Sequence, residues 1–388
     1  MSSLLITAEA LVLPDRVLVD GAVVVVDGRI AEILEAGSVN IDQGSRRIDA
    51  TGLILTAGLL DIQLNGGFGS DFTDDADAIW DVGRRLPEFG VTGFLPTVVT
   101  SDMAARERML SALAAGPPDG YRGAAPLGAH FEGPFLSPEA SGAHDPAYLR
   151  LPVDADSDVA GWSSESGVRM VTVAPELDGA IDLVSALTSR GVVVSAGHSA
   201  ATRDQAVAAF DAGVTYATHL FNAMPPLMHR QPGLAGAALA DPRVAVGLIA
   251  DGLHVHRDVI RLTAQAAGHE RVSLVTDATA GLGMDPGHYL LGGRDVVVDL
   301  ESVRLADDGR LAGSALTADE ALRRFESMSG WSVAAVLATM TSTPQRLLGL
   351  TDRGTLRVDA RADMTVFTPD LRVVGTFVGG EPVHGPWG

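Results

Sequence analysis

Eight short apolar runs, each long enough for one buried strand, recur along residues 55–281 and restrict the fold more than any other feature of the chain. Between most of them lie alanine-rich stretches of helical period, such as TRDQAVAAFDAG (202–213) and HRDVIRLTAQAAG (256–268). Strand and helix therefore alternate across roughly 250 residues, which matches an α/β fold of the (β/α)8 barrel type. The eight runs are residues 55–66, 91–100, 126–134, 168–176, 192–199, 214–224, 244–254 and 272–281.

The two ends of the chain have a different pattern. Residues 4–50 and 354–388 alternate apolar and polar side chains and contain the turn pairs Asp27-Gly28 and Gly379-Gly380, which is typical of β-hairpins. We expect both ends to combine in one small β-sandwich domain beside the TIM-like barrel. The expected domain bounds are 1–54 with 350–388 for the β-sandwich and 55–349 for the barrel.

One segment interrupts the alternation near the end of the barrel. Glycine-rich residues 290–314 have the pattern of a hairpin-like insert, and two helices are expected near 315–348. The insert should therefore separate the last barrel strand from the helices that close the barrel.

The composition indicates a soluble globular protein with a large core. Of its 388 residues, 46% are hydrophobic and only 20% are charged. No segment approaches the roughly 20 uninterrupted apolar residues of a membrane span. The N-terminal region has no basic start and carries Glu9 and Asp15, unlike a secretory leader. Together with the absence of cysteine, this predicts a cytoplasmic protein.

The charge excludes several classes of partner and chemistry. A formal net charge of −21 argues against nucleic acid or an anionic membrane as a partner, because either requires a basic face. All 28 basic residues are arginine. The absence of lysine excludes a lysine Schiff base, a phosphate-binding Walker lysine and a carboxylated lysine that bridges two metals.

In a (β/α)8 barrel the active site forms at the carboxyl ends of the strands. Reactive side chains follow most of the eight runs, so many of them should meet at one mouth. These side chains are Asp61, Gln63, Asn65, His130, Glu132, Glu176, His198, His219, Asp251, His254 and Asp277.

Glu132, His198 and His219 are the candidate metal ligands. A single histidine at a strand end is more often a hydrogen-bonded structural residue, but these three side chains point into one mouth. One glutamate with two imidazoles is a known catalytic zinc set that leaves a position open for water. Asp277 is then a general base or a helix cap, and His130 is a fourth ligand or a residue behind the ligands.

Seven ordered motifs carry a resemblance to one known family. They are DIQLNG (61–66), GAHFEGPFL (128–136), AGHSAA (196–201), THLFNAMPPL (218–227), ADGLHV (250–255), VTDATAG (275–281) and GSALT (313–317). The chain resembles the N-acetylglucosamine-6-phosphate deacetylases of the amidohydrolase superfamily over its whole length. The resemblance implies the same barrel and β-sandwich, and an enzyme that deacetylates N-acetyl-D-glucosamine 6-phosphate in amino-sugar catabolism and cell-wall recycling.

The resemblance also implies roles for single residues. By motif, Glu132, His198 and His219 hold the metal, most simply zinc. Asp277 becomes the catalytic acid/base, and His144, in SGAHDP, polarises the acetyl carbonyl.

The same resemblance implies how the phosphorylated amino sugar is held. Some phosphate contacts cross a dimer interface in this family, so we expect a homodimer. The residues expected to hold the sugar phosphate are Asn222, Ala223, Arg230 and His254.

One departure concerns the number of metals. Many amidohydrolases carry His-x-His after the first strand and bind two metals, whereas this chain has Gln63 and Asn65 there. An amide is a poor zinc ligand but can hydrogen-bond a metal-bound water, so Gln63 is expected on the substrate side of the site. With a carboxylated lysine also impossible, we expect one divalent metal per subunit.

Two other functions stay open from the sequence. A different amidohydrolase, such as a dihydroorotase or dipeptidase, is disfavoured by the missing lysine and His-x-His. A non-catalytic metal-binding scaffold is disfavoured by Asp277, which such a scaffold does not need.

Overall fold

The computed structural model of the chain describes residues 3–35, 46–155, 159–299 and 302–387. The part of the N-terminal flank between 36 and 45 therefore lies outside the described residues. The strands that precede the barrel are β1 (Ser3–Val12), β2 (Val17–Val26), β3 (Arg29–Leu34) and β4 (Arg46–Ala57).

Strands β5 to β15 belong to the barrel and its loops. In chain order they are β5 (Leu59–Leu64), β6 (Gly66–Gly67), β7 (Ser70–Asp71), β8 (Val91–Val98), β9 (Ala125–Pro126), β10 (Ala129–Glu132), β11 (Val168–Val173), β12 (Val193–Ala196), β13 (Val214–Ala217), β14 (Ala245–Leu248) and β15 (Val272–Leu274). The remaining strands are β16 (Gly287–Leu291), β17 (Arg294–Val298), β18 (Val303–Leu305), β19 (Met364–Phe367), β20 (Val373–Val378) and β21 (Glu381–His384).

The helices mostly lie between barrel strands. They are α1 (Ala78–Arg85), α2 (Met103–Ala115), α3 (Ala180–Ser189), α4 (Arg203–Ala212), α5 (Gly233–Ala240), α6 (Arg257–Ala267), α7 (Ala318–Ser329), α8 (Val333–Ala338) and α9 (Ser342–Leu347). Short 3₁₀ turns occur at Leu86–Phe89, Pro138–Ala140, Pro146–Tyr148 and Pro152–Asp154. None of the helices in the described ranges is long and apolar enough to cross a membrane.

Eight parallel strands form the TIM-like barrel, and each of the eight apolar runs contains one of them. The strands are neighbours in the order β5, β8, β10, β11, β12, β13, β14 and β15. Their β-branched and aliphatic side chains are buried nearly throughout, as parallel strands covered by helices require. The expected fold class is confirmed.

The barrel closes differently at its two ends. At the carboxyl ends, Asp277 N donates to Gln63 O at 2.9 Å and Asn65 N donates to Ala278 O at 2.7 Å. Near the amino end of β5, the backbone that follows helix α8 takes the place of a neighbouring strand. There Leu60 N donates to Met340 O at 2.6 Å. The first and last strand ends are therefore joined directly where the candidate site lies.

The helices around the barrel follow from local sequence signals. Helix α4 begins with a capping box, in which Thr202 and Gln205 satisfy each other's backbone N–H groups. Helix α6 buries Ile260, Ala264 and Ala267, whose spacing puts them on one face. The opposite face of each helix is left for water.

Both ends of the chain form the expected small β domain. Among the described residues, seven strands of this domain make one hydrogen-bonded sheet in the order β21-β20-β19-β4-β1-β2-β3. Strands β1 and β4 are parallel, and the other pairs are antiparallel. Side chains such as Ile6, Val23 and Phe377 form a hydrophobic core separate from that of the barrel. The domain bounds stay a prediction, and β4 continues past residue 54 to Ala57.

The insert expected after the last barrel strand is a three-stranded antiparallel sheet, β16-β17-β18. Its core contains Leu291, Val296 and Val303, and it packs on Val99 and Ala143 of the barrel loops. The insert therefore lies against the loops that follow β8 and β10.

The expectation of two closing helices after the insert was wrong in one respect. Helix α7 is followed by two short helices, α8 and α9, separated at residues 339–341. The carbonyls of Thr339 and Met340 accept from barrel strands β15 and β5, so they cannot continue a helical ladder. Pro344 also removes one backbone donor from α9.

Candidate active site and metal centre

Three side chains from three strand ends meet at the mouth of the barrel. Glu132 ends β10, while His198 and His219 follow β12 and β13, and all three are buried. Their ligand atoms lie within 4.8 Å of one another. The Nε2 atoms of the two rings are 3.0 Å apart, and Glu132 Oε1 lies 3.0 Å from His219 Nε2 and 3.3 Å from His198 Nε2.

The backbone turns sharply at these strand ends. His198, His219 and Asp277 have φ angles of 47°, 23° and 49°, in the left-handed region that side chains with a Cβ rarely adopt. Such strain persists where the surrounding structure enforces it, commonly at functional sites. The turns direct the side chains into the mouth of the barrel rather than along the strands.

Hydrogen bonding fixes one of the two ligand rings. His198 Nδ1 lies 3.1 Å from the carbonyl oxygen of Ala140, so Nδ1 carries the proton and the Nε2 lone pair faces the centre. Two imidazole nitrogens and a carboxylate oxygen that converge in this way suit a divalent metal ion. The residues present therefore fit the metal that their types predict.

The electrostatics favour the metal-binding forms of His198 and Glu132. Burial, with the neighbouring His144 next in importance, lowers the pKa of His198 to about 4, so the ring is neutral near pH 7. Burial alone would raise the pKa of Glu132. Hydrogen bonds to His144, His198 and His219 outweigh that effect and hold the pKa of this carboxyl well below its usual value. For His219, burial alone would lower the pKa, but the hydrogen bond to Glu132 and the charge of that carboxylate outweigh burial and raise the pKa.

The two amides at the His-x-His positions contact carboxylates. Gln63 donates from Nε2 to Glu132 Oε1 at 2.9 Å, and its Oε1 accepts from the hydroxyl of Thr218. Asn65 donates from Nδ2 to Asp277 Oδ1 at 2.7 Å. Each amide therefore orients one candidate carboxylate, and the Asn65–Asp277 pair joins the ends of the first and last barrel strands.

Asp277 faces the same cavity as the three candidate ligands. Burial, with the negative charge of Glu132 next in importance, raises its pKa to about 6, against the charge of His219 and the hydrogen bond from Asn65. A carboxyl group with a pKa near the working pH can both accept and return a proton.

His144 lies in the loop that follows β10 and lines the same cavity as Asp277. The backbone N–H of Thr100 donates to His144 Nδ1 at 3.1 Å, which leaves the proton on Nε2. That Nε2 atom is 3.6 Å from Glu132 Oε2, and the His144 ring packs edge-on against His198 at 4.3 Å between centroids. The site therefore has a fixed N–H donor beside the candidate ligands.

A cavity of about 500 Å³ opens above these groups. Of the residues expected to hold a sugar phosphate, Asn222, Ala223 and His254 line it. His254 is fixed by Asp251, whose Oδ2 lies 2.6 Å from His254 Nδ1. The structure therefore brings these three expected contacts to the same cavity as Glu132.

Arg230 is not among the residues that line this cavity. It lies in an exposed turn with Leu227 and Met228, which are 46% and 53% exposed. Within the described chain, the expected phosphate arginine is therefore separate from the other expected contacts.

His130 is not part of the metal group. Its Nδ1 and Nε2 atoms lie 3.2 Å and 2.8 Å from the hydroxyls of Thr97 and Thr172 in the barrel interior. Burial lowers its pKa to about 4, so the ring is neutral. Of the two roles considered for His130, the structure favours the hydrogen-bonding one.

Several contacts at the site were not predicted from the sequence. Thr100 and Thr218 hold His144 and Gln63, and Arg294 of the insert donates from Nη1 to the carbonyl oxygen of Ala143 at 3.2 Å. The insert also contributes Arg310 to the wall of the cavity. No local pattern marks these residues, because their partners are remote in the sequence.

Known proteins are similar to this chain in both sequence and fold. Residues 54–383 match the model of the Amidohydrolase family. The chain is 40% identical to the N-acetylglucosamine-6-phosphate deacetylase of Bos taurus over 347 residues, which are 86% of this chain and 84% of the relative. It is 36% identical over 330 residues to the N-acetylgalactosamine-6-phosphate deacetylase of Escherichia coli O157:H7, covering 84% and 87% of the two chains.

A solved structure agrees with the whole fold. It is a mutant of the N-acetyl-D-glucosamine-6-phosphate deacetylase from Mycobacterium smegmatis in complex with N-acetyl-D-glucosamine-6-phosphate. The TM-score is 0.89 at 34% identity, with 99% of this chain and 100% of that chain covered. The chain therefore belongs to the amidohydrolase family, in the group of the N-acetylglucosamine-6-phosphate deacetylases.

Proposed function

We propose that this protein removes the acetyl group from N-acetyl-D-glucosamine 6-phosphate, giving D-glucosamine 6-phosphate and acetate. The observation that carries the proposal is the buried Glu132, His198 and His219 group, which shares one cavity with Asp277 and His144. This is the set of groups that hydrolysis of an amide needs, namely metal ligands, an acid/base and a donor to the carbonyl oxygen. We infer the substrate from the similar proteins, which are N-acetylglucosamine-6-phosphate deacetylases.

Glu132, His198 and His219 would hold one divalent metal per subunit, and we propose zinc. When bound, the ion supplies the Lewis-acid activation that makes water a nucleophile near neutral pH. Gln63 supports the set by holding the Glu132 carboxylate. It is fully buried and is not among the residues that line the cavity in the described chain, so we propose this supporting role for it rather than direct contact with the substrate.

Asp277 and His144 divide the proton and charge chemistry between them. Asp277 accepts a proton from the attacking water and then gives it to the sugar nitrogen as the carbon–nitrogen bond breaks. The Nε2–H of His144 donates to the acetyl carbonyl oxygen, where negative charge develops. The carbon–nitrogen bond breaks and acetate leaves with the water-derived oxygen. The amine keeps the proton transferred by Asp277, and the second proton of the water is released to the solvent or taken up by the amine.

We place the 6-phosphate against Asn222, Ala223 and His254, which line the cavity. Arg230 is exposed and outside the cavity lining, which supports the proposal that it acts across the interface of a homodimer. In that arrangement Arg230 of the partner subunit reaches the phosphate. We also propose that the protein works in the cytoplasm, in amino-sugar catabolism and cell-wall recycling.

The test is acetate release by the metal-loaded protein from N-acetylglucosamine 6-phosphate, N-acetylgalactosamine 6-phosphate and unphosphorylated N-acetylglucosamine. We expect the first sugar to give the highest kcat/KM and the unphosphorylated sugar the lowest. The similarity to the Escherichia coli O157:H7 protein makes the galactosamine epimer the second candidate, and a higher kcat/KM for it would replace the proposed substrate. Release of acetate from none of the three sugars would mean a different amidohydrolase reaction.

A further inference from the structure

The insert provides one wall of the active-site cavity. Leu291, Arg310 and residues 311–313 line it together with Glu132 and Asp277. The backbone there is fixed, because Leu305 N donates to Arg310 O at 2.9 Å and Ala312 N donates to Val303 O at 3.0 Å. The position of Arg310 is therefore set by the sheet of the insert.

Arg310 is the only arginine among the cavity-lining residues of the described chain. The acidic side chains in this lining are Glu132, Glu139 and Asp277, and the protein carries a formal net charge of −21. A substrate with a doubly negative phosphate therefore meets a field that repels it nearly everywhere. Arg310 supplies a local positive charge at the cavity in the same subunit.

The guanidinium of Arg310 is half exposed and engaged by Asp308 on one edge. Its Nε donates to Asp308 Oδ2 at 2.7 Å, and its Nη2 lies 2.7 Å from the same oxygen. A guanidinium has five N–H donors, so the edge formed by Nη1 and the outer Nη2 hydrogen remains for a second anion. Asp308 thus orients the group without using all of its donors.

A purely local explanation also exists for this pair. Arg372 and Asp370 form the same Asp-x-Arg contact at 3.0 Å, on an exposed part of the chain that does not line the cavity. Such exposed pairs contribute little to stability. What distinguishes Arg310 is its position in the wall of the active site, and Arg372 therefore offers a matched control.

We propose that Arg310 is a specificity-determining residue that binds the phosphate of the substrate from the insert side of the cavity. The inference rests on the proposed function, and it adds a contact within the subunit to the expected contact of Arg230 across the dimer. Because the Arg310 side chain is 54% exposed, whereas Glu132 and Asp277 are buried, its contribution should appear in substrate capture rather than in the chemical step.

The test compares Arg310→Gln and Arg372→Gln with the unchanged protein on N-acetylglucosamine 6-phosphate and N-acetylglucosamine. Arg310→Gln should raise KM for the phosphorylated sugar by about 3- to 10-fold, as expected for a half-exposed ionic contact, and leave kcat nearly unchanged. It should leave kcat/KM for the unphosphorylated sugar unchanged and make kcat/KM for the phosphorylated sugar less sensitive to salt. Arg372→Gln should change none of these values.

Asp308→Asn gives a second measurement. Because Asp308 orients Arg310, this variant should raise KM for the phosphorylated sugar and leave kcat/KM for the unphosphorylated sugar unchanged; equal changes on both sugars would mean that the pair is only structural. Equal losses on both sugars in Arg310→Gln, or no loss beyond that of Arg372→Gln, would overturn the inference while acetate release by the unchanged protein upholds the proposed function. Absence of acetate release by the unchanged protein would overturn both.

Discussion

Asn65 and Asp277 are joined by a 2.7 Å hydrogen bond between Nδ2 and Oδ1, although they follow the first and the last strand of the barrel. The backbone bonds that close the barrel lie beside them, since Asp277 N donates to Gln63 O. Asp277, whose pKa is raised, is thus held where the first and last strands of the barrel meet. Its position therefore depends on complete closure of the barrel.

Asp277→Asn should lower turnover by about 10² to 10⁴, the usual contribution of a general acid/base. The amide is isosteric and can still accept a hydrogen bond from Asn65 through its remaining oxygen. Metal content and KM should therefore stay close to those of the unchanged protein. Steady-state kinetics with metal analysis of the same samples checks this, and a loss below tenfold would assign the base to another residue.

Replacement of the candidate ligands should remove the metal. His198→Asn and His219→Asn should each abolish stoichiometric binding and activity, because each removes one of three ligands that lie within 4.8 Å of one another. The unchanged protein should contain close to one divalent metal per chain, lose activity with a chelator and regain it with zinc. Elemental analysis that finds two tightly bound metals per site, with Gln63 as a ligand, would contradict the single-metal proposal.

Arg230 can be tested by subunit complementation. In a hybrid dimer of Arg230→Ala and Asp277→Asn subunits, one site combines an intact Asp277 with Arg230 of the partner subunit. Equal mixing of the two inactive variants during refolding should therefore restore up to about a quarter of the sites, from random pairing of subunits. Failure to restore any activity, with hybrid dimers present by native mass spectrometry, would place Arg230 in its own subunit or outside the site.

Arg294→Gln should disturb His144 without touching the substrate. The change removes the donor to Ala143 O, so the loop that carries His144 loses this hydrogen bond to the insert and keeps only its apolar packing there. A small misplacement of a catalytic donor lowers kcat by about tenfold or more. The control is Arg304→Gln, since the Arg304 side chain donates to Ser302 and Gly309 within the insert and has no hydrogen bond to the His144 loop among the described residues.

The double variant distinguishes positioning from general damage. If Arg294 acts through His144, Arg294→Gln should cost little further activity in a His144→Gln background. Fully multiplicative losses, or an equal loss in Arg304→Gln, would mean that Arg294 only stabilises the insert.

The buried carboxyl group of Asp61 should make the stability of the protein depend on pH. Burial raises the pKa of this carboxyl to about 7 from 3.8, and hydrogen bonds from Thr276 and Gln63 only partly oppose it. Between pH 3.8 and about pH 7, Asp61 keeps its proton in the folded protein but has lost it in the unfolded chain. The stabilising contribution of protonated Asp61 is therefore complete below pH 3.8 and is lost as the pH rises through 7.

Asp61→Asn should remove this dependence because its side chain stays neutral. Between pH 5 and pH 8 the free energy of unfolding of the unchanged protein should fall, relative to Asp61→Asn, by on the order of 2 kcal/mol. Urea unfolding at fixed metal content measures the difference, with the exposed Asp204→Asn as control. Parallel pH profiles for the unchanged protein and Asp61→Asn would show that Asp61 does not titrate in this range.

The fold was largely predictable because it depends on repeated local patterns. Each of the eight apolar runs carries its own strand signal, and residues such as His198 follow a β-branched run that ends at a glycine. The parallel arrangement then brings strand ends together without any knowledge of side-chain contacts. Glu132, His198 and His219 could therefore be grouped from the sequence.

The remaining features depend on contacts between distant segments. The carbonyl of Met340 accepts from Leu60 N of β5 instead of continuing a helix, and the local sequence near 340 indicates this break only through Pro344. Arg294 and Ala143 are likewise 151 residues apart. His144 stands in a loop without strand or helix periodicity, so only its family motif identified it.

The sheet that joins both ends of the chain also affects biosynthesis. Ala57 of β4 pairs with Met364 of β19, so this edge of β4 has no neighbour until almost the whole polypeptide has left the ribosome. A nascent chain therefore presents an open strand edge throughout translation of the barrel, and such edges are sites of aggregation. Premature termination before β19 would leave that edge permanently bare, even in a chain that contains every candidate ligand and the complete barrel.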